Sequence, residues 1–277
     1  MTMAMTLPSL SAAPRPKVGE LLRAWREHRR LSQLELALQA EVSTRHLSFV
    51  ETGRARPSSQ MILRLTEQLE VPLRERNQLL LAGGYAPLYP ESSLEAPHMA
   101  AVRSAVRQLL ESHEPYPAVV VDRAWSIVDA NRSTGLFLDG IAPELLEPPV
   151  NALRIGLHPR GLAPRIINLG EWRAHLLGRV RRHLALSADP QLGELYAELQ
   201  SYPCEQPEPE PDLLLGAGSV VVPLRLRRTD ARGELAFFST VAAFGTPLDI
   251  TVAELAIESF FPADQHTAAT LRALAGH

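Results

Sequence analysis

The 277-residue chain contains a single cysteine, Cys204, which excludes an intramolecular disulfide and cannot by itself supply the paired spacing of a zinc finger. Set in SYPCEQPEPEPD, it reads as a buried or incidental thiol and not as a redox switch. No apolar run reaches the length of a membrane-spanning helix, so no membrane association is expected and a cytoplasmic location is. The opening MTMAMTLPSLSAAPRP has no basic region followed by a sustained apolar stretch, and residues 1–16 read as a flexible leader instead of a signal peptide. Catalytic signatures are also missing: there is no HExxH, nucleophile elbow, phosphate loop or dinucleotide fingerprint, and His158, Asp189 and Glu194 do not form a spaced set. An enzyme is therefore not expected, nor is a metal or cofactor.

Excess charge is scarce, but it is unevenly placed. Residues 15–84 carry 12 Lys/Arg against 8 Asp/Glu, a balance of +4, while the rest of the chain carries 16 against 23, a balance of −7. A modestly basic N-terminal unit suits local contact with phosphate, and the acidic remainder argues against a protein that wraps nucleic acid over its whole surface.

The segment LSQLELALQAEVSTRHLSFVETGRARPS, residues 31–58, is the richest in signal. Ser32 and Glu35 have the spacing of a capping box, and Leu34, Ala37 and Leu38 follow at helical spacing. Val42 precedes Ser43, a second N-cap that opens a helix to about Glu51 with Leu47 and Val50 on its apolar face. Flanking helices are expected over Val18–Arg30, through Met61–Leu69 before Val71-Pro72, and from Leu73 to about Ala82 ahead of Gly83-Gly84. Trp25, Leu34, Leu47 and Leu65 are assigned to the small core.

These motifs, with LRLTEQLEVPLRERNQLLLAGGYAP, resemble the Cro/phage-repressor type of helix-turn-helix in its xenobiotic-response-element-like branch. The resemblance implies a DNA-binding domain over 17–84, in which Gln33 caps the first helix of the motif near phosphate while Thr44, Arg45 and Ser48 lie on the exposed side of the recognition helix. Elementary chemistry agrees: helix-end N–H groups suit phosphate, an arginine can pair with guanine O6/N7, and a hydroxyl can meet a base edge. Ser43 and His46 join the candidates, His46 with its orientation open between Arg45 and Leu47. Arg54 and Arg56, in a loop that Gly53 lets reverse tightly, are candidates for holding the DNA backbone; the plainer alternative is a solvated turn.

YAPLYPESSLEAPH marks a linker or ordered crossing, placed at 85–97. Beyond it a helix is expected over Met99–Ser112, strands over Val119–Val121 and Trp125–Val128, and a helix carrying Leu136, Phe137 and Leu138. Helices follow near Val150–Leu157, Asn168–Leu186 and Gln191–Gln200. The proline-rich CEQPEPEPD then gives way to a strand-rich finish in SVVVPLRLRR, ELAFFSTVAAF and PLDITVAELAIESFF. The run Arg179-Val180-Arg181-Arg182-His183 is best read as a solvated or interdomain helix face, and PLRLRR as a strand alternating Leu224 and Leu226 with Arg225 and Arg227.

VVVDRAWSIVDAN, NALRIGLHP, INLGEWRAHLLGRVRRH and FFSTVAAFGTPLDITVAELAIESFFPAD resemble the PAS-like ligand-binding domain of MmyB-like transcription regulators. The combined expectation is a multidomain chain, an all-α five-helix DNA-binding domain followed by an α+β PAS-like sensor domain over 98–277 that also dimerizes. The resemblance implies a cavity for a small apolar or fatty-acid-like effector, with Phe137, Trp172, Phe237, Phe238 and Phe244 as candidate lining and Asn131, Arg154 or His158 as an orienting polar contact. Each has a structural alternative: plain core for the aromatics, a turn or helix cap for Asn131, a helix-end contact for His158. The function expected is a sequence-specific, ligand-controlled regulator. Its homodimer would place two recognition helices on double-stranded DNA, a palindromic operator with half-sites ~34–36 Å apart. The alternative is a DNA-binding dimeric scaffold with no small-molecule response.

Overall fold

Serine side chains set three of the first helix starts in the computed structural model, which describes residues 17–187, 189–209, 221–230 and 233–275. The expected leader, 1–16, lies outside the described residues. The chain divides between Pro90 and Glu91 into two units. Among its described residues the first has five helices: α1 (Val18–His28), α2 (Gln33–Gln39), α3 (Thr44–Glu51), α4 (Ser59–Gln68) and α5 (Leu73–Ala82). Ser32 Oγ accepts the Glu35 N–H at 3.2 Å and the Glu35 carboxylate accepts the Ser32 N–H at 2.7 Å, closing the capping box at the start of α2. That bond to the Ser32 backbone holds the Glu35 carboxyl below its usual range. Ser43 and Ser58 cap α3 and α4 by accepting from His46 N at 3.1 Å and Met61 N at 3.2 Å. Such a cap contributes about 1 kcal/mol.

Between α2 and α3 the chain reverses through Glu41, held at φ 53°, a left-handed conformation that a non-glycine residue rarely adopts. A Cβ at Gly19 would stand 2.1 Å from the Val50 carbonyl oxygen, so α1 and α3 touch at a distance no side chain permits. Leu22, Leu36, Leu47, Ile62, Leu65, Leu69 and Leu79 fill the core between the helices. One expectation is corrected here: Leu34 is 58 % exposed and Leu38 70 % exposed, while Leu36 and Ala37 are buried. The two-turn α2 carries two leucine stripes at helical spacing, and only the one continued by buried Ala40 meets the other helices. Trp25 is half-buried against the core.

The stretch expected as a linker, 85–97, is tied down on both sides of the divide. In the first unit Asn77 Oδ1 accepts from Leu88 N at 2.9 Å and Tyr89 N at 3.1 Å, and Asn77 Nδ2 donates to the Tyr89 carbonyl at 2.7 Å. In the second, Ser92 N donates to Asp249 at 3.2 Å and Arg103 donates to the Ala96 carbonyl at 3.0 Å.

The second unit is built on a five-stranded, wholly antiparallel sheet: β1 (Ala118–Val121), β2 (Ile127–Ala130), β3 (Leu224–Arg227), β4 (Glu234–Ala243) and β5 (Ala256–Pro262). Its spatial order is 2-1-5-4-3, with a block of helices inserted between β2 and β3, which is a PAS-like arrangement. Side chains alternate across the pleat. Val119, Val121, Phe237 and Phe260 face the large core formed with α7 (Gly135–Leu138), α8 (Ala152–Leu157), α9 (Leu169–Ser187) and α10 (Pro190–Ser201). Ala118, Val120 and Ile257 face a smaller core under α6 (Ala100–Ser112). β1 is apolar at all four positions because both of its faces are covered.

Two strand expectations are corrected, and one helix was not anticipated. Trp125 lies in the β1–β2 loop and not in a strand, with Ile127 the first residue of β2. PLDIT leads into a short helix, α11 (Ile250–Ala253), because Asp249 Oδ1 accepts the Thr251 N–H at 2.8 Å and starts a helical turn. After β5 the chain ends in an unanticipated helix, α12 (Gln265–Ala275), begun by Asp264 Oδ1 accepting from Thr267 N at 2.6 Å. β3 has the expected alternation, Leu224 and Leu226 buried and Arg227 exposed; part of SVVV and of the proline-rich segment lies outside the described residues.

Candidate functional site

Helix α3 is backed by a closed polar network. Leu47, Val50 and Glu51 point into the domain, while Arg45 and His46 are exposed and Thr44 and Ser48 half-exposed. Glu51, with 1 % of its side chain exposed, takes Arg26 Nε on Oε1 at 2.7 Å and Arg26 Nη2 on Oε2 at 2.9 Å. Arg26 Nη1 donates to the Leu31 carbonyl at 2.8 Å, so the guanidinium also grips the turn before α2. These bonds, Glu51 foremost, hold the Arg26 charge more firmly than in a free arginine.

Gln33 joins the same network: its Nε2 donates to Glu51 Oε2 at 2.8 Å. The cap of α2 is Ser32 and Gln33 occupies the first helical position, so the capping role expected of Gln33 passes to its neighbour while its side chain is anchored to α3. Ser43 is occupied as the α3 cap. Arg45 lies one turn from Phe49, with its guanidinium carbon 5.4 Å from the ring centroid, a cation–π contact that orders a long exposed side chain. Phe49 escaped sequence reasoning; the Arg45–Phe49 spacing of four residues was its signal.

The two loop arginines differ. Arg54 is exposed beside Gly53, which has φ 72° and permits the reversal. Arg56 donates from Nε and Nη2 to the Gly83 carbonyl at 3.2 and 2.9 Å and lies over the Tyr85 ring at 5.6 Å, fastening the loop to the end of α5. Its guanidinium thus has a structural duty that the sequence did not reveal.

In the second unit a cavity of about 70 Å³ opens on the large-core side of the sheet. Phe137, Trp172, Leu176, Phe260, Trp125 and Glu258 are among its walls. Small-molecule pockets run to roughly 300–1,000 Å³, so side chains must move before an effector of that size can enter. Phe137 stands edge-on to Phe260 at 4.8 Å and to Phe237 at 5.5 Å, which fixes that wall. Trp172 stacks on His175 at 5.4 Å. Burial, followed by the charges of Arg179 and Arg182, pushes the His175 pKa down to about 4, so its imidazole is neutral at pH 7.

Of the eight sequence-named ligand residues, Phe137 and Trp172 line this cavity and the other six do not. Phe237 is fully buried in the core behind Phe137. Phe238 stacks on Phe261 at 5.4 Å, and Phe244 packs with the smaller core on the other face. Asn131 is saturated: it accepts from Ala118 N and Thr134 Oγ1, both at 3.0 Å, and donates to the Tyr116 carbonyl at 2.7 Å. Arg154 pairs with Glu198 at 2.7 Å, a bond that holds the Glu198 carboxyl below its usual range. His158 accepts the Arg160 N–H on Nδ1 at 3.0 Å and packs edge-on to Tyr202 at 5.0 Å. The residues missed are Trp125, Arg179 and Glu258. Arg179, expected on a solvated face, donates to Glu258 at 2.7 Å with 17 % of its side chain exposed, whereas Arg181 and Arg182 are exposed as expected.

Among the described residues no helix is long and apolar enough to cross a membrane, and no cluster of His, Cys, Asp and Glu could hold a metal ion. Residues 102–274 match the family described as "MmyB-like transcription regulator ligand binding domain", and residues 22–76 match "Helix-turn-helix". No curated protein matches the chain. A solved structure titled "Structure of an RNA-binding Light-Oxygen-Voltage Receptor" is similar at 12 % identity and a TM-score of 0.30, over 94 % of this chain and 64 % of that one. The chain therefore spans less than two thirds of that structure's length, a likeness too distant to bear on function.

Proposed function

The chain belongs to the MmyB-like transcription regulators, and on that premise we propose that it reads a palindromic operator in double-stranded DNA as a homodimer. The regulator is a DNA-binding protein with a ligand-binding-type C-terminal domain, and neither matched family is catalytic. The observation that carries the DNA reading is the exposed Arg45, flanked by half-exposed Thr44 and Ser48, on α3 above the closed Arg26–Glu51–Gln33 network. A recognition helix must enter the major groove in one orientation, and that network sets it by joining α1, α2 and α3. Two copies supply two half-sites. We place the protein in the cytoplasm with its DNA, and Arg45 and Ser48 at base edges, with Gln33, Thr44, His46 and Arg54 nearer the backbone.

The second unit would receive a small, apolar, fatty-acid-like effector between Phe137, Trp172 and the sheet. Control requires that the effector bind the DNA-competent and DNA-incompetent arrangements with different affinity, since equal binding shifts nothing. A cavity of about 70 Å³ favours a second reading as well, a dimeric DNA-binding scaffold whose cavity stays closed. One experiment tests both. Operators are selected from a random DNA library with the purified full chain at physiological salt, and affinity for the best site and a scrambled control is measured with and without native cell extract. Sequence discrimination that changes with extract is the expected result. Discrimination unaffected by extract leaves ligand control and the scaffold both open, and salt-sensitive binding without discrimination overturns the operator reading.

A further inference from the structure

One side of the cavity is polar, and its hydrogen bonding is unfinished. Glu258 stands in the middle of β5, opposite Val119 of β1 and Val241 of β4, with 7 % of its side chain exposed. Oε1 accepts from Arg179 Nη1 at 2.7 Å; among the described residues no donor reaches Oε2. The Arg179 guanidinium carbon lies 4.7 Å from the Trp125 ring centroid, so one guanidinium touches both the carboxylate and the indole. Trp125 is itself 7 % exposed, and its Nε1–H is buried with no acceptor among the described residues.

A buried donor without a partner is costly, because its lost hydration is not replaced. Trp125 also sits at φ 64°, a conformation costly for a bulky side chain. The loop enforces it: Trp125 N donates to the Asp122 carbonyl at 3.0 Å, Asp122 Oδ1 accepts from Ala124 N at 2.8 Å and Ser126 N at 2.9 Å, and the Trp125 carbonyl accepts from Ala152 N at 2.9 Å. The strained loop holds Trp125 on the wall that Glu258 also lines, and both residues meet Arg179 there.

We propose that this end of the cavity recognises a neutral head group that both accepts and donates, a hydroxyl or primary amide, on an apolar body. The head-group oxygen accepts the Trp125 Nε1–H, and its O–H or N–H donates to Glu258 Oε2. This rests on the reading of the cavity as the effector site, and makes the effector fatty-acid-like in its chain but not in its head. An ionised carboxylate has no donor for Glu258 and brings a second negative charge beside it, where the one positive charge of Arg179 is already matched. A hydrocarbon leaves both protein groups unmet.

The test uses the full chain at pH 7 and four eight-carbon probes: octanamide, octan-1-ol, octanoate and octane. Affinities are measured by calorimetry and the indole N–H resonances are followed by nitrogen-15 NMR, with the Trp125 signal identified by its loss in Trp125→Phe. That variant keeps the ring over Arg179, and a thermal melt checks its fold. Octanamide and octanol should move the Trp125 N–H resonance downfield and bind about tenfold or more tighter than octanoate. Trp125→Phe should weaken both by about three- to tenfold and leave octane unchanged, while Glu258→Gln should narrow the gap to octanoate. Binding of the series with no head-group preference, octanoate as the tightest ligand, or an unmoved Trp125 resonance overturns the head-group proposal and leaves the cavity reading standing. Failure of every probe to bind overturns the cavity reading, and the proposal falls with it.

Discussion

In the first unit a buried arginine and glutamate, Arg26 and Glu51, meet through two bonds, and Leu31 and Gln33 take up capacity that the pair leaves over. In the second unit Arg179 and Glu258 meet through one, beside a cavity, with Glu258 Oε2 and the Trp125 indole N–H without protein partners among the described residues. The same two residue types therefore do different work. A filled network in a low-dielectric interior has one satisfactory arrangement, so it fixes the angle at which α1, α2 and α3 meet. An unfilled one is satisfied only by something from outside the fold. The first unit presents Arg45 and His46 outward on α3, and the second keeps its unpaired polar atoms inside.

The comparison breaks most visibly if the first pair is cut. Glu51→Ala leaves the buried Arg26 with only the half-exposed Glu27, 3.6 Å away, as counter-charge and Gln33 without its anchor, so the unit should lose about 3 kcal/mol of stability. Hydrogen exchange across residues 17–90 of the full chain reads this unit separately, and protection there should collapse while that of β1 and β5 holds. Protection retained in α1 to α3 would show the network to be dispensable. Arg45→Ala removes exposed chemistry and nothing from the core, so it should cost operator binding about 1–3 kcal/mol, roughly ten- to a hundredfold, with the melting temperature unchanged. Equal loss on scrambled DNA would demote Arg45 from a base contact to a phosphate contact.

The same contrast explains what could be read from the chain beforehand. The five N-terminal helices were legible because caps and apolar spacing are local: Ser32 with Glu35, and Ser43 and Ser58 before their helices. The outward face of α3 followed from the inward one. The cavity's polar end was not legible, because it joins residues 79 apart in sequence, Arg179 in what looked like a solvated cationic run and Glu258 in a strand of otherwise apolar pattern. Aromatic content pointed to Phe237, Phe238 and Phe244 as readily as to Phe137 and Trp172, and only the strand register and helix packing separate those on the wall from those behind it. Asn131 looked polar enough to orient a ligand, but Ala118, Thr134 and Tyr116 claim its amide.

A smaller effect sharpens the interior side of the comparison. Burial and two arginines hold His175 neutral down to about pH 4, against an ordinary value of 6.5. The unfolded chain therefore binds a proton here that the folded one does not between those values, so this contribution to stability is complete above about pH 6.5 and is lost as the pH falls toward 4. His175→Asn should flatten the fall between pH 6.5 and 5 relative to the native chain in denaturant titrations. An unaltered slope would mean that His175 accepts a proton in the folded state without penalty.

The smallest effect belongs to the outward side. Leu38 has the spacing of a core residue, and if it were one, Leu38→Gln would behave as a buried large-to-polar change and cost several kcal/mol. At 70 % exposure it lies on the stripe of α2 that the other helices leave uncovered, so the substitution should change stability by no more than about 0.5 kcal/mol. A loss beyond that would show that Leu38 is supported by contacts its exposure does not suggest, and calorimetry of the full chain separates the two results. Because Leu34 shares the stripe, Leu34→Gln should be equally mild, and a double substitution additive with both singles would show that the two leucines do not support each other in the fold.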